Sequence, residues 1–242
     1  MKVKLTILLL TVLAPVVAVA QKWSLTGEVF YGKFKMESMK EYQQHIRPSP
    51  APVDLTIVDD FPAYIGYNVI AGYALSPRWG LGIRLQYTST AGRVAYGDYS
   101  GEMSVDHLLH GYSIGLNTTY RLTAPSKWEA YFSFTAGAMR TSLTNAYRFQ
   151  LYGESPSVYE VYFRSYNYFF NPALTVNRGL NNHFTVYASV GYEFQIHRAL
   201  RFTDYQDAYL KTWNGSDDVV AEWDGLRIAV GTSYRFGLSK KN

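Results

Sequence analysis

From residue 79 to residue 88, hydrophobic and polar positions alternate without a break. Trp79, Leu81, Ile83, Leu85 and Tyr87 fall on one face, with Gly80, Gly82, Arg84, Gln86 and Thr88 on the other. A period of two marks a strand with unlike faces, because successive side chains of a strand point to opposite sides. Residues 184–196 repeat the pattern, setting Phe184, Val186, Ala188, Val190, Tyr192, Phe194 and Ile196 against Thr185, Tyr187, Ser189, Gly191, Glu193 and Gln195. Residues 226–236 set Leu226, Ile228, Val230, Thr232, Tyr234 and Phe236 against Arg227, Ala229, Gly231, Ser233 and Arg235. Residues 112–121 do the same with Tyr112, Ile114, Leu116, Thr118 and Tyr120. Looser segments at 22–35, 62–75, 127–142 and 158–177 complete a set of eight. Pro172 lies inside 158–177 and removes a ladder donor there, which counts against a regular strand unless a bulge absorbs it.

The connections alternate in length. Those at 76–78, 123–126 and 178–182 are short, and those at 36–61, 91–106, 143–157 and 198–222 are long. Short turns on one side and long loops on the other predict an all-β fold. The expected form is an eight-stranded antiparallel up-and-down transmembrane β-barrel with short periplasmic turns and long extracellular loops. An even number of strands places both ends of the chain on the periplasmic side.

Three features separate this reading from a soluble sandwich or barrel. The segments run about 10 residues or more, the length a tilted spanning strand needs, against about 5–6 for an ordinary soluble strand. Aromatic residues cluster at the ends of the apolar faces. Trp23, Tyr73, Trp79, Tyr120, Trp128, Phe184, Tyr234 and Phe236 fall near the periplasmic boundary, and Tyr31, Tyr87, Tyr112, Tyr166 and Phe194 near the other. Two such belts are expected where bilayer meets water. Finally, the other face carries Glu28, Arg84, Arg121, Glu129, Glu193, Arg227 and Arg235, too much charge for a soluble core. Turned toward the barrel axis, these groups predict an interior charge network with Arg121–Glu129 and Glu193–Arg227 as pairs, in a plugged cylinder with no wide pore. Inward Gly66, Gly72, Gly82, Gly115, Gly191 and Gly231 leave room for long side chains.

Composition and the N-terminus bear on the compartment expected. Lys2 and Lys4, the apolar stretch 5–17 and Ala18-Val19-Ala20 have the three parts of a secretory signal peptide, so residues 1–20 are expected to be removed and 21–242 to form the barrel domain. There is no cysteine, hence no disulfide or thiolate metal site. Without Lys2 and Lys4 the formal charge falls from +4 to +2, too small to suggest nucleic acid. The 22 tyrosines suit boundaries that are apolar at one end and wet at the other.

At this point the chain resembles the small outer-membrane barrels of the outer-membrane protein A and X type. Tyr234, Arg235 and Phe236 resemble the aromatic-x-aromatic signal read by the barrel-assembly machinery, although Gly237 to Asn242 follow it. Gln21 directly after Ala-Val-Ala is similar to signals of Bacteroidetes-type bacteria. The resemblance implies an outer-membrane location and outer-membrane lipid, lipopolysaccharide and the assembly machinery as partners, with a monomeric barrel.

Little in the sequence points to catalysis. Some barrels of this size deacylate lipid A with a His and a Ser, but His45, His107, His110, His183 and His197 form no His-x-Ser pair, and His107 and His110 point to opposite faces. No phosphate loop, zinc helix motif or nucleophile elbow is present, so no catalytic, cofactor or metal residues are expected. Lys33, Lys35, Lys40 and Arg47 near the first long loop could meet lipopolysaccharide phosphates, and Pro48, Pro50 and Pro52 favour an extended stretch in it. Asp204, Asp207, Asp217, Asp218, Glu222 and Asp224 match no calcium loop and read as a solvated acidic loop. Asn214-Gly-Ser216 fits a glycosylation acceptor by spacing only. The expectation is a non-enzymatic outer-membrane barrel with a structural, envelope-integrity or surface-interaction role. The alternatives are a lipid A-modifying enzyme or a narrow solute channel.

Overall fold

The computed structural model describes residues 23–46, 55–205, 207–212, 215 and 217–236. The expected leader at 1–20 lies outside them, as do Arg47, Pro48, Pro50, Pro52, Asn214, Ser216 and the residues after Phe236. The alternating segments form eight wall strands. They are β1 (Trp23–Phe34), β3 (Tyr64–Ala74), β4 (Trp79–Asp98), β5 (Gly101–Arg121), β6 (Trp128–Leu151), β7 (Ser157–Gly179), β8 (Phe184–Ile196) and β10 (Gly225–Arg235). The long connections contribute a helix, α1 (Glu37–Ile46), and two short strands, β2 (Thr56–Asp60) and β9 (Arg201–Phe202).

Each wall strand pairs antiparallel with its neighbour, and β1 also pairs with β10, so the ladder closes. Val29 shows the closure, standing opposite Tyr67 on one side and Val230 on the other. A closed ladder satisfies its own amides and carbonyls, as hydrocarbon demands. Pro172 interrupts pairing between β7 and β8 at Asn171 and Pro172, yet Phe170↔Phe194 and Ala173↔Gly191 keep one register. No bulge is inserted, and the proline's missing donor is met by a gap in the ladder.

Along the membrane-height segments, the apolar face points outward. Leu81, Ile83 and Leu85 are 40%, 50% and 52% exposed, while Arg84 between them is 7% exposed. The same alternation runs around the ring, so a continuous band of Leu, Ile, Val and aromatic side chains covers the outside. A soluble monomer does not expose such a band. None of the described helices is long and apolar enough to cross a membrane. Aromatic rings edge the band at the short-turn end. Trp23 lies 5.2 Å from Tyr73, Trp79 4.8 Å from Tyr120, and Phe184 5.1 Å from Tyr234, while the Arg178 guanidinium caps the Trp128 ring at 5.2 Å. At the far edge, Tyr67, Tyr87, Tyr112, Arg140 and Tyr166 occupy one register row across five strands. From Trp79 to Tyr87 the strand covers about 26 Å, or about 20 Å of height at the usual tilt, close to the apolar band of a spanning barrel.

The wall is uneven. Strands β1, β3, β8 and β10 have 11–13 residues, whereas β4 to β7 have 20–24. The connections expected at 91–106 and 143–157 are therefore mostly strand, with the turns confined to 99–100 and 152–156. Alternation persists there with reversed polarity. Val94, Val105, Leu109, Met139, Leu143 and Phe163 point inward and are buried, while Arg93 and Asp106 pair on the outside. Above the bilayer the outer face meets water, so the apolar residues must turn in.

What they pack against comes from the two remaining long connections. β2 extends the sheet beside β4, and β9 extends it beside β7. Between these edges, α1 and residues 219–224, together with Leu200 and Leu210, turn inward and build one apolar core. Met36, Met39, Phe61, Leu200, Leu210, Val219, Ala221 and Trp223 meet Leu109, Met139, Leu143, Phe163 and Phe169 of the wall. Met36 and Phe61 bracket the first inserted segment with positive φ (49° and 43°), a conformation that costs a non-glycine residue about 1–2 kcal/mol and persists here in buried side chains. The two insertions are stitched together. Lys35 N donates to Asp224 O at 3.0 Å, and the Glu222 carboxylate accepts Ser38 N at 2.8 Å in the first turn of α1, where negative charge suits the helix dipole. The acidic stretch is thus anchored at its end: Asp224 is buried, Glu222 caps the helix, and Trp223 between them is fully buried with its indole N–H donating to Thr141 Oγ1 at 2.9 Å.

Trp223→Ala is expected to destabilise this plug by about 3–5 kcal/mol, the usual loss for emptying a buried aromatic site. Limited proteolysis should cut the 198–224 connection faster, while the folded-barrel gel mobility before boiling is retained. Unchanged cleavage would show that Trp223 does not hold the plug.

Candidate functional site

The lumen has two tiers. Below the plug, all seven charged residues expected inside line a polar cylinder and fall into three clusters at successive heights. At the short-turn mouth, Arg121 Nη1 donates to Glu129 Oε1 at 3.1 Å, the Tyr131 hydroxyl donates to Glu129 Oε2 at 2.6 Å, and Arg235 Nη2 lies 3.9 Å from the same oxygen. In the middle, Glu28 accepts from Asn68 Nδ2 and, at 2.7 Å, from the Tyr187 hydroxyl. Arg84 is held loosely there: Nη2 is 3.8 Å from Glu28 Oε1, and Nη1 is 3.5 Å from both Thr135 Oγ1 and Asn171 Oδ1. At the top, Arg227 Nη2 donates to Glu193 Oε1 at 2.7 Å and to Trp223 O at 3.2 Å. The Phe30 and Phe34 rings flank that guanidinium at 4.9 and 5.3 Å.

These clusters surround a cavity of about 400 Å³ that reaches from the turn residues Ser76–Arg78 up to Arg84, Phe30 and Arg227. Glycines leave room for two of the rings that line it. A Cβ on Gly231 would lie 2.7 Å from the Tyr187 ring, and one on Gly66 would lie 2.2 Å from Phe30. Above Arg227 the apolar core fills the bore. The cavity therefore opens toward the periplasmic side and ends blind at the plug.

The remaining expected residues sit on the outside. Trp23, Trp79, Trp128 and Phe184 are exposed and Tyr120 half-buried along the short-turn girdle. Tyr234 and Phe236 belong to the same girdle, with their rings edge-on at 4.9 Å. The histidines are dispersed. His107 is buried in the plug, its Nδ1 2.8 Å from Asn145 Oδ1 and its ring 5.6 Å from Tyr42. His110 faces outward, 2.9 Å from the Tyr87 hydroxyl. His197 is hydrogen-bonded to Asp224, whose other oxygen accepts Gln195 N at 2.8 Å. Among the described residues, no three His, Asp or Glu side chains converge as a metal site. The plug residues escaped the sequence reading because their strands looked like polar loops; the reversed alternation at 91–109 and the lone Trp223 in an acidic run were the available signals.

Two of the histidines lie above the membrane-spanning segments and make the plug sensitive to pH in opposite directions. The hydrogen bond to Asp224 raises the His197 pKa; the same contact and the Gln195 amide hold Asp224 low although burial alone would push it up. A raised folded-state value means that the His197–Asp224 contribution is complete below the ordinary imidazole pKa of about 6.5 and is lost as pH rises through the folded value. Asp224, held low, contributes fully above the ordinary carboxylate value of about 3.8 and loses its share as pH falls from there through its own depressed value. Burial lowers the His107 pKa, so His107 destabilises the plug as pH falls below about 6.5. Proteolysis of the 198–224 connection should accordingly be slowest near about pH 6–7, and His197→Gln should abolish the protection lost on the alkaline side. An alkaline limb unchanged in that variant would discount the pair.

In the lumen, Glu193→Ala leaves the Arg227 guanidinium buried without its carboxylate. This is expected to cost about 3–5 kcal/mol in urea unfolding of the folded barrel, with most of the loss recovered by adding Arg227→Met. Equal stability of Glu193→Ala and the parent would mean that water, not Glu193, neutralises Arg227.

No protein-family model matches the chain, and no curated protein matches it in sequence. Solved structures do superimpose on it. They include a major outer membrane protein from Thermus thermophilus (11% identity, TM-score 0.48, 88% of this chain and 99% of that one). Neisserial surface protein A gives 13% identity and a TM-score of 0.41 over 88% of this chain and 97% of its own. Ail, the attachment invasion locus protein of Yersinia pestis, gives 13% and 0.38 over 89% and 99%. The architecture rests on this chain's own ladders and faces. A ring of eight antiparallel strands, an apolar band outside and a charged lumen inside make it a small eight-stranded outer-membrane β-barrel by fold.

Proposed function

We propose that this protein is a non-enzymatic integral outer-membrane barrel, with a structural, envelope-integrity or surface-interaction role, and that its lumen conducts nothing. The plug carries the reading. A bore closed by Trp223, Met139, Phe169 and the core around them is packed as a protein interior is, and its only sizeable cavity among the described residues opens at one end. The tall wall supports a surface role. β2, β4 to β7 and β9 raise a six-stranded sheet above the outer aromatic edge, backed by its own core and rigid enough to present a surface.

Reconstitution in planar bilayers should give no conductance steps, and Arg84→Ala should leave that unchanged because the block lies above Arg84. Steps that appear or grow in Arg84→Ala would instead make the loosely held guanidinium a gate and the protein a narrow channel. Incubation with lipid A in vesicles should yield no product; deacylated or otherwise altered lipid A would overturn the non-enzymatic reading.

A further inference from the structure

Four arginines stand together at the upper edge of the lipid-facing band on the β6–β7–β9 side of the barrel. Arg140 is exposed on the outer face of β6, opposite Tyr166 in the outer aromatic row. Arg164 lies one outward position higher on β7, and Arg201 of β9 is its direct cross-strand partner. Arg198, just past the end of β8, lays its guanidinium over the Tyr168 ring at 5.4 Å, and Arg201 lies over Tyr209 at 4.9 Å.

None of the four forms an ion pair with a described carboxylate. Arg93 on the same wall shows the contrast, because both oxygens of Asp106 neutralise it. The nearest outward carboxylate along β7 is Glu160, which accepts the Tyr162 hydroxyl. Two arginines directly opposite each other on paired strands repel. That arrangement is unfavourable for the protein alone and becomes favourable when an anion sits between them. The Arg fork is also the side chain best matched to phosphate oxygens.

We infer that Arg140, Arg164, Arg198 and Arg201 form a binding site for the phosphate groups of a phosphorylated glycolipid in the outer leaflet. The site rests on the reading of the chain as an outer-membrane barrel. Position selects the source of the phosphate. Directly below the arginines the outer face continues as Tyr166, Tyr168, Phe170 and Ile196, so a ligand bridging them would lay acyl chains on that surface. Phe170 and Phe194 stack there at 4.9 Å, giving a flat apolar strip under the cationic one. A free phosphate would use the arginines and ignore the strip. The lysines near the first long loop lie outside this side of the ring, so the site is distinct from them.

The test uses the full barrel in phosphatidylcholine vesicles containing fluorescent, phosphorylated lipid A, with enrichment around the protein read by energy transfer from its tryptophans. The variants are Arg164→Ala/Arg201→Ala and, as a control, Arg93→Ala. Lipid A should be enriched around the parent and Arg93→Ala. The double variant should bind it about 25-fold more weakly, about fivefold for each interfacial arginine, and removal of the lipid phosphates should have a similar effect on the parent. Equal enrichment in the double variant, or with dephosphorylated lipid A, would overturn the site. Displacement by inorganic pyrophosphate at matched concentration would overturn the lipid assignment in favour of a free anion. Gel mobility before and after boiling, run on every sample, separates this from the barrel reading: a shifted band without enrichment refutes the site alone, whereas no shift in the parent refutes the barrel and the site with it.

Discussion

A backbone surrounded by hydrocarbon must satisfy every one of its own hydrogen-bonding groups, and closure of the ladder between β1 and β10 is how this chain does so. The rest follows from that closure. Once the ring is shut, each strand has one face toward lipid and one toward the axis, and the period-two sequence decides which residues go where. Leu81 and Val230 meet acyl chains; Arg84 and Arg227 meet their carboxylate partners inside the bore. The charge in the lumen is tolerable because Glu28, Glu129 and Glu193 stand within reach of four arginines.

The same wall changes solvent part-way up, and the structure changes sense with it. Below the Tyr87–Tyr112–Tyr166 row the outside is apolar and the inside polar; above it the order is reversed. The upper part is in effect a small water-soluble sheet whose missing second layer is supplied by α1 and by Leu200, Leu210 and residues 219–223 turned into the bore. This makes the plug part of the fold. Removing it would expose Leu109, Met139, Leu143 and Phe163 to water, so the wall's height and the bore's closure are one structural decision. The arginines at the change of solvent occupy the level of lipid headgroups, where no described carboxylate forms an ion pair with them.

Much of this was legible in the amino-acid sequence because membrane strands carry their environment in simple alternation. The two faces of β4, β8 and β10 could be read directly, and so could the sorting of Trp79 outward and Arg84 inward, since each strand reports its two faces independently of its neighbours. The upper wall was hidden by the same rule. At 91–98 and 143–151 the apolar positions shift to the inward parity and are diluted by Gly, Thr and Asn, so the stretch resembles a loop unless the change of solvent is anticipated. Pairings such as His197 with Asp224, or Tyr42 with Asn145, join residues from different connections and depend on how those connections fold into the bore. No local pattern encodes that. Pro172 is the converse case: the local rule flagged it, and the ring simply omits the bonds it cannot make.

One assignment underlies the fold and the lumen alike: the outer face of the ring lies in hydrocarbon and the inner face in water. The chain contains no cysteine, so single nitroxide labels can be placed cleanly at Leu81→Cys on the outside and Thr119→Cys in the cavity, with the protein folded into vesicles. Relaxation by molecular oxygen and by a water-soluble nickel chelate then reports the surroundings of each. The label at 81 is expected to be open to oxygen and shielded from nickel, and the label at 119 the reverse; a water-exposed label at 81 with a lipid-exposed one at 119 would contradict the structure described.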